Sequence, residues 1–203
     1  REQITDLINW YEVQLTKLQV EIRLNTYLDP SDIAMVEADE IVLATGSQPS
    51  MSGWQRGIPE RDSLPGIDGA NVWSVEDVMR REARLGKRVL LLDDAGNWRG
   101  PGTAWHLAEK EHAVTLLTAD AYIGRDLART AADFPMRARL KKLGVTFMTD
   151  SVILEWHGHA ATIRDLSTGE EEKLPFDSLV LATTNTADTG LLEELQAKGV
   201  AHH

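Results

Sequence analysis

Lys87-Arg88-Val89-Leu90-Leu91-Leu92-Asp93-Asp94-Ala95-Gly96-Asn97-Trp98-Arg99-Gly100-Pro101-Gly102-Thr103-Ala104 is the stretch that decides the fold. Lys87 to Leu92 is a short apolar run behind a basic start, as a strand covered on both faces requires. Gly96, Gly100 and Gly102 break it, and Gly100 to Glu111 then sets Ala104, Leu107 and Ala108 on one side of a helix. Val114 to Leu117 is a second apolar run, so strand, helix and strand make a βαβ unit.

Working towards the C-terminus, Met136, Leu140 and Leu143 share one side of a helix over 133–143, which Gly144 can stop in a left-handed cap. Strands are predicted at 145–148, 151–156, 160–165, 172–175 and 179–182, separated by turns at His157-Gly158-His159 and Thr168-Gly169. The fold class read from this order is α/β, a Rossmann-like doubly wound parallel sheet with a β meander, and Lys87–Leu92 is its central strand.

Towards the N-terminus, Ile4, Leu7, Ile8, Tyr11, Leu15 and Leu18 recur at helical steps and predict a helix packed on a sheet. Val20–Leu24 alternates like a half-buried strand, and Glu40–Gly46 reads as a buried parallel strand ending in glycine. The stretch 47–71 carries Pro49, Pro59 and Pro65 with Gly53, Gly57, Gly66 and Gly69, which makes it a crossing between domains or a surface loop. Ser74 is placed to cap a helix running to about Arg84.

Composition narrows the function. With 203 residues and 42% hydrophobic, the chain can bury one or two cores. The absence of cysteine excludes a disulfide scaffold, a thiol nucleophile, thiolate zinc and an iron-sulfur cluster ligated by these residues. A net charge of −11 argues against nucleic acid as a partner. No apolar run approaches the roughly 20 residues of a membrane span, and no signal peptide core is present, so no membrane partner and a cytoplasmic location are expected. The opening inside a helix at Arg1 and the close on His202-His203 suggest a piece of something longer, with a tag remnant at its end.

Glycines after a strand let a pyrophosphate approach backbone amides and the positive end of the next helix. Here Asp93 and Asp94 stand where the first glycines belong, Pro101 removes an amide donor, and Thr118 takes the place of the ribose-binding acid. Gly96, Gly100 and Gly102 therefore carry two readings, an altered nucleotide seat or close strand–helix packing. Thr45 and Gly46 end a strand near where a cofactor would lie. The cofactor-binding candidates are thus Thr45, Gly46, Gly96, Gly100, Gly102 and Thr118, with no catalytic residue. His157 and His159 have no third ligand in sight, and no metal site is assigned.

Five segments together resemble a known family: Arg1–Ile4 through Leu24-Asn25-Thr26, Ala38–Pro49, Gly86–Asp94, His106–Thr115 and Phe176–Ala182. They are similar to the C-terminal part of the NADH:flavin oxidoreductases related to trimethylamine dehydrogenase and 2,4-dienoyl-CoA reductase. The resemblance implies a full-length protein with an FMN barrel, an iron-sulfur cluster and a site for ADP or FAD, none of them in this chain. It divides the chain into 1–80, the remnant of the ADP/FAD-binding-type domain with its crossover loop; 81–185, an NAD(P)-binding-like domain; and 186–203, a return segment. The first of these is an incomplete second nucleotide-binding domain.

Dienoyl-CoA reductase relatives keep the second glycine fingerprint and use NADPH, whereas amine dehydrogenase relatives have lost it and pass electrons to an electron-transfer flavoprotein. Asp93-Asp94 and Thr118 place this chain with the amine or N-methyl amino acid branch, and Thr183-Thr184 stands where the family has Thr-Gly. The implied function is an inactive fragment of an amine dehydrogenase or demethylase, partnered by the rest of its own chain. The alternatives are an NAD(P)H-binding reductase domain or sensor, and a vestigial packing and docking module.

Overall fold

The computed structural model describes residues 2–34 and 38–199; Arg1 and the expected tag remnant His202-His203 lie outside them. In chain order the elements are α1 (Glu2–Lys17), α2 (Pro30–Ala34), β1 (Ser47–Pro49), β2 (Val72–Ser74), α3 (Val75–Arg80), β3 (Arg88–Asp93), α4 (Arg99–Glu109) and β4 (Ala113–Leu117). A 3-10 turn at Arg125–Thr130 follows, then α5 (Asp133–Lys142), β5 (Thr146–Met148), β6 (Ser151–Trp156), β7 (Ala160–Asp165), β8 (Glu171–Pro175), β9 (Ser178–Ala182), β10 (Asn185–Ala187) and α6 (Gly190–Ala197). They form two compact units, one of Arg1–Thr45 with Thr189–His203, the other of Gly46–Asp188.

In the larger unit five strands run parallel in the order β2-β9-β3-β4-β5. The apolar runs read from the sequence become its three interior strands, β9, β3 and β4. Alternation sends Val89, Leu91, Leu116 and Val180 to one face, against Ala104, Leu107 and Leu140 of α4 and α5. Leu90, Leu92, Leu179 and Leu181 point the other way, onto Ile153, Trp156, Ala161 and Ile163 of the antiparallel meander β6-β7-β8. Both faces are covered, which is why these strands tolerate unbroken apolar runs.

Helix ends follow local chemistry. Ser74 and Asp77 form a reciprocal capping box at the start of α3, and Arg81 closes it in a left-handed conformation. Gly144, at φ +77°, turns the chain from α5 into β5. The connection 47–71, expected as a crossing or a surface loop, is packed against the meander: Leu64 is buried, and the Trp156 amide donates to the Pro65 carbonyl at 2.9 Å. The compact units divide at 45/46 and 188/189, so this connection lies wholly in the larger one.

The smaller unit holds α1, α2 and α6. Asp29 Oδ1 accepts the amides of Ser31 and Asp32 and so opens α2, and among the described residues of the unit Ile33 and Leu195 are buried. Two strand expectations fail here. Val20–Leu24 and Glu40–Gly46 are irregular, and Val42 is 87% exposed. A strand needs a neighbour to satisfy its backbone, and no strand is present among the described residues of this unit. The α1 periodicity does form a helix, yet Leu7, Ile8, Trp10 and Tyr11 remain more than half exposed, and the described residues of the unit include no sheet to receive them.

Candidate functional site

β3 leads through α4 to β4 on one side and has β9 on the other, so the strand order reverses between β9 and β3. Outside the carboxyl ends of such a pair lies the crevice where open α/β sheets bind ligands. Here the protein's own groups fill it. The amides of Asp94 and Ala95 both donate to the Ala182 carbonyl at 3.2 Å, closing the floor.

Asp93 ends β3 and is fully buried. Its Oδ1 accepts the Gly96 amide at 3.0 Å, while Oδ2 is buried without a hydrogen-bond partner. A Cβ on Gly100 would stand 2.4 Å from Asp93 Cγ, so glycine at that place makes room for this carboxyl. Burial foremost, with Asp120 and Asp94 adding to it, raises the Asp93 pKa to about 7 against the opposing Gly96 amide and Arg56.

Asp94 is buried too, and its Oδ1 accepts the Arg56 amide at 2.9 Å. The Arg56 Nε donates to the Asp94 carbonyl at 2.9 Å and stands 3.4 Å from Oδ2. Burial raises the Asp94 pKa, and the contacts of Arg56 oppose it. The same guanidinium reaches Asp120 in a fork, Nη1 to Oδ1 at 3.3 Å and Nη2 to Oδ2 at 3.0 Å. Arg125 Nη1 grips Asp120 from its other side at 3.1 and 3.3 Å. Burial disfavours the Arg56 charge, but its bonds to Asp120 and Asp94 prevail and raise its pKa.

On the β9 side Arg99, at the start of α4, donates to the Thr183 carbonyl at 2.8 Å and to Glu76 at 2.5 Å. Thr183 Oγ1 in turn donates to the Ser50 carbonyl. Gln55 holds the loop that delivers Arg56. Its amide is buried and pairs with both backbone groups of Ile153, donating to O at 2.7 Å and accepting from N at 2.8 Å, where the β6–β7 register shifts. A side chain thus continues the ladder beyond the edge of β6.

The structure brings four of the expected residues to this crevice. Gly96 has φ +67°, and a Cβ there would crowd Arg125 and Asp120 at 3.2–3.4 Å. Gly100 backs Asp93. Thr118 is buried at the end of β4, its hydroxyl accepting the Asp120 amide at 3.2 Å. Gly102 lies in the first turn of α4, with open space where a Cβ would be. Gly46, at φ +83°, accepts the Asp188 amide beside the two-stranded ribbon of β1 and β10. Thr45 belongs to the smaller unit, beside a groove lined by Leu28, Ile33, Ile41 and Leu191. Arg56, Asp120, Arg125 and Gln55 escaped the sequence reading, since 38 residues separate Arg56 from Asp94 and nothing local marks the pairing.

A dinucleotide does not fit this arrangement as it stands, because the seat a pyrophosphate needs holds the Asp93 carboxyl. Among the described residues no group of three or more His, Cys, Asp or Glu is placed to hold a metal ion. His157 instead meets Thr162 at 2.8 Å. No described helix is long and apolar enough to cross a membrane.

The sequence is 29% identical over 201 residues to an N,N-dimethylglycine/sarcosine dehydrogenase of Chromohalobacter salexigens, covering 97% of this chain and 28% of that protein. It is 28% identical over 200 residues to an NADH oxidase of Thermoanaerobacter brockii, covering 95% of this chain and 28% of that protein. The chain therefore spans less than a third of the curated relatives it matches. Among solved structures, a 6-hydroxypseudooxynicotine amine oxidase from Pseudomonas geniculata superposes with a TM-score of 0.82 at 23% identity, over 88% of this chain and 26% of that one. That likeness shows the fold, with its parallel five-stranded, Rossmann-like sheet. The family model of pyridine nucleotide-disulphide oxidoreductases matches residues 2–202, and the chain belongs to that family.

Proposed function

We propose that this chain is the nucleotide-fold portion of a flavin- and iron-sulfur-dependent oxidoreductase that acts on a methylated amine or N-methyl amino acid. In this reading the second nucleotide fold takes no NAD(P)H and serves packing and docking. The observation that carries it is the filled crevice, in which the Asp93 carboxyl lies against the first turn of α4 at Gly100. The relative named as an N,N-dimethylglycine/sarcosine dehydrogenase supports the substrate class. In this reading flavin and cluster belong to the remainder of the full-length protein, and for the cluster this agrees with a chain that has no cysteine to ligate iron. That remainder is also the partner proposed for the exposed apolar residues of α1, and electrons leave to an electron-transfer flavoprotein in the cytoplasm.

The second reading, a reductase domain that uses NAD(P)H, is favoured by the relative named as an NADH oxidase and by the retained glycines at 96 and 100. Assay of the full-length protein separates the two. Sarcosine or dimethylglycine is expected to reduce an artificial dye acceptor, and NADH is not. Reduction of the enzyme by NADH with no turnover of N-methyl substrates would establish the second reading.

A further inference from the structure

A phosphate seat at the mouth of a βα turn needs free backbone N–H groups, a helix start aimed at the ligand, and a floor without side chains. The helix start and the glycine floor survive here, whereas the amides of Asp94 and Ala95 donate to the Ala182 carbonyl and that of Gly96 to Asp93. Gly96 presents its amide into the turn, Gly100 leaves the floor bare, and α4 starts at Arg99. What occupies the place is a carboxyl of the same chain. Asp93 Oδ1 accepts the Gly96 amide at 3.0 Å, and its Cγ lies 2.4 Å from where a Cβ on Gly100 would be. The other oxygen, Oδ2, is buried and has no partner, so the group gains little hydrogen bonding from being there.

We propose that the Asp93 carboxyl is a resident stand-in for a phosphate, and that this one side chain decides whether the crevice admits a dinucleotide.

Charge counting gives the reason that Asp93, and not its neighbours, holds this role. Asp94 and Asp120 face the guanidiniums of Arg56 and Arg125 at 3.0–3.4 Å. Asp126, a more exposed carboxylate, stands 3.2 Å from Arg125 Nε. Asp93 makes no ion pair among the described residues. Without it, each remaining carboxylate of the crevice faces a guanidinium, Asp94 and Asp120 that of Arg56 and Asp120 and Asp126 that of Arg125, and an incoming anion no longer meets a buried carboxyl that lacks an ion pair.

The proposal rests on the reading of this crevice as a nucleotide seat that takes no NAD(P)H. Its test is titration of the chain with NADH, followed by nicotinamide fluorescence, and with inorganic pyrophosphate by calorimetry. Wild type is expected to bind NADH no tighter than millimolar, and D93G at least tenfold more tightly, with pyrophosphate ranking the proteins in the same order. D93N keeps the shape and removes the charge, so it is expected to gain less than D93G. D93S, whose hydroxyl still accepts the Gly96 amide, is the second opened variant, and circular dichroism checks that both are folded. Folded D93G and D93S that titrate like wild type would overturn the proposal while leaving the amine reading intact. Equal gains in D93N and D93G would also overturn it, because charge alone would then decide. Loss of the fold in both opened variants would show a structural residue and not a replaceable occupant. Micromolar NADH binding by wild type would end both this proposal and the reading beneath it.

Discussion

Asp93 and Gly100 are matched: the carboxyl closing β3 fills the space a side chain on the first turn of α4 would need, with Cγ 2.4 Å from the position of a Cβ at 100. Alanine at 100 would favour the helix by up to about 1 kcal/mol. It would also collide with a buried group at the end of a central strand, and overpacking of that kind costs roughly 1–3 kcal/mol. The clash is expected to win. Urea melts of G100A should show a loss of stability, whereas G102A, with open space at its Cβ, should be neutral or gain up to about 1 kcal/mol. In the double variant D93G/G100A the loss should largely vanish, and a cycle that stays additive would refute the pairing.

The same carboxyl sets a pH dependence. Its pKa is raised to about 7 in the folded protein from an ordinary 3.8, so between those values the native state holds a proton that the unfolded chain has released. Stability from this group is full below about pH 4 and falls as pH rises through 7. For a shift of this size the loss is on the order of 4 kcal/mol at most. D93N removes the titration, so the stability difference between D93N and wild type should grow in favour of the variant from pH 5 to pH 8. A constant difference across that range would show that Asp93 is ionised throughout.

Gln55 supplies both hydrogen bonds to Ile153 from a side chain that is 2% exposed. Truncation in Q55A leaves a buried N–H and a buried C=O unpaired, at roughly 1–3 kcal/mol for each group. Glutamate still accepts from the Ile153 amide but sets a carboxylate against the Ile153 carbonyl, so Q55E is expected to be the worse variant at neutral pH. Chemical denaturation ranks the three proteins. Hydrogen exchange at Ile153 should accelerate in both variants.

These particulars show how far a sequence carries a reader. Strands β3, β4 and β9 were legible because burial on both faces leaves unbroken apolar runs, and Gly144 and Ser74 announced their caps by chemistry that is local. Asp93 and Asp94 stood out as carboxylates where glycines belong, and with them the departure from a working phosphate loop. What they do was not legible. Asp94 is fixed by a partner 38 residues distant, Arg56, on a loop held by a glutamine that borrows the edge of a strand, while Asp93 turns onto the Gly96 amide beside Gly100, a choice between two local conformers that the residue types alone do not make. The strands expected at 20–24 and 40–46 failed for a related reason: an apolar run states a demand for cover, and the smaller unit has no neighbouring strand to meet it.

The same unmet demand bears on self-association. Leu7, Ile8, Trp10, Tyr11 and Val13 of α1 are each 51–55% exposed, on a unit whose irregular segment adds Val42 at 87%. Exposed apolar surface of this kind favours association, at roughly 25 cal/mol for each Å² removed from water. A net charge of −11 opposes it, and that repulsion is screened over about 10 Å at 0.1 M salt and about 3 Å at 1 M. The two effects respond oppositely to ionic strength, so salt decides between them. Sedimentation of the chain is expected to show a smaller average mass in 0.05 M salt than in 1 M salt at equal protein concentration. W10E should lower the mass at high salt by adding charge and removing apolar area in one step. An average mass that falls with salt would show that charge pairs, and not the apolar residues of α1, drive association.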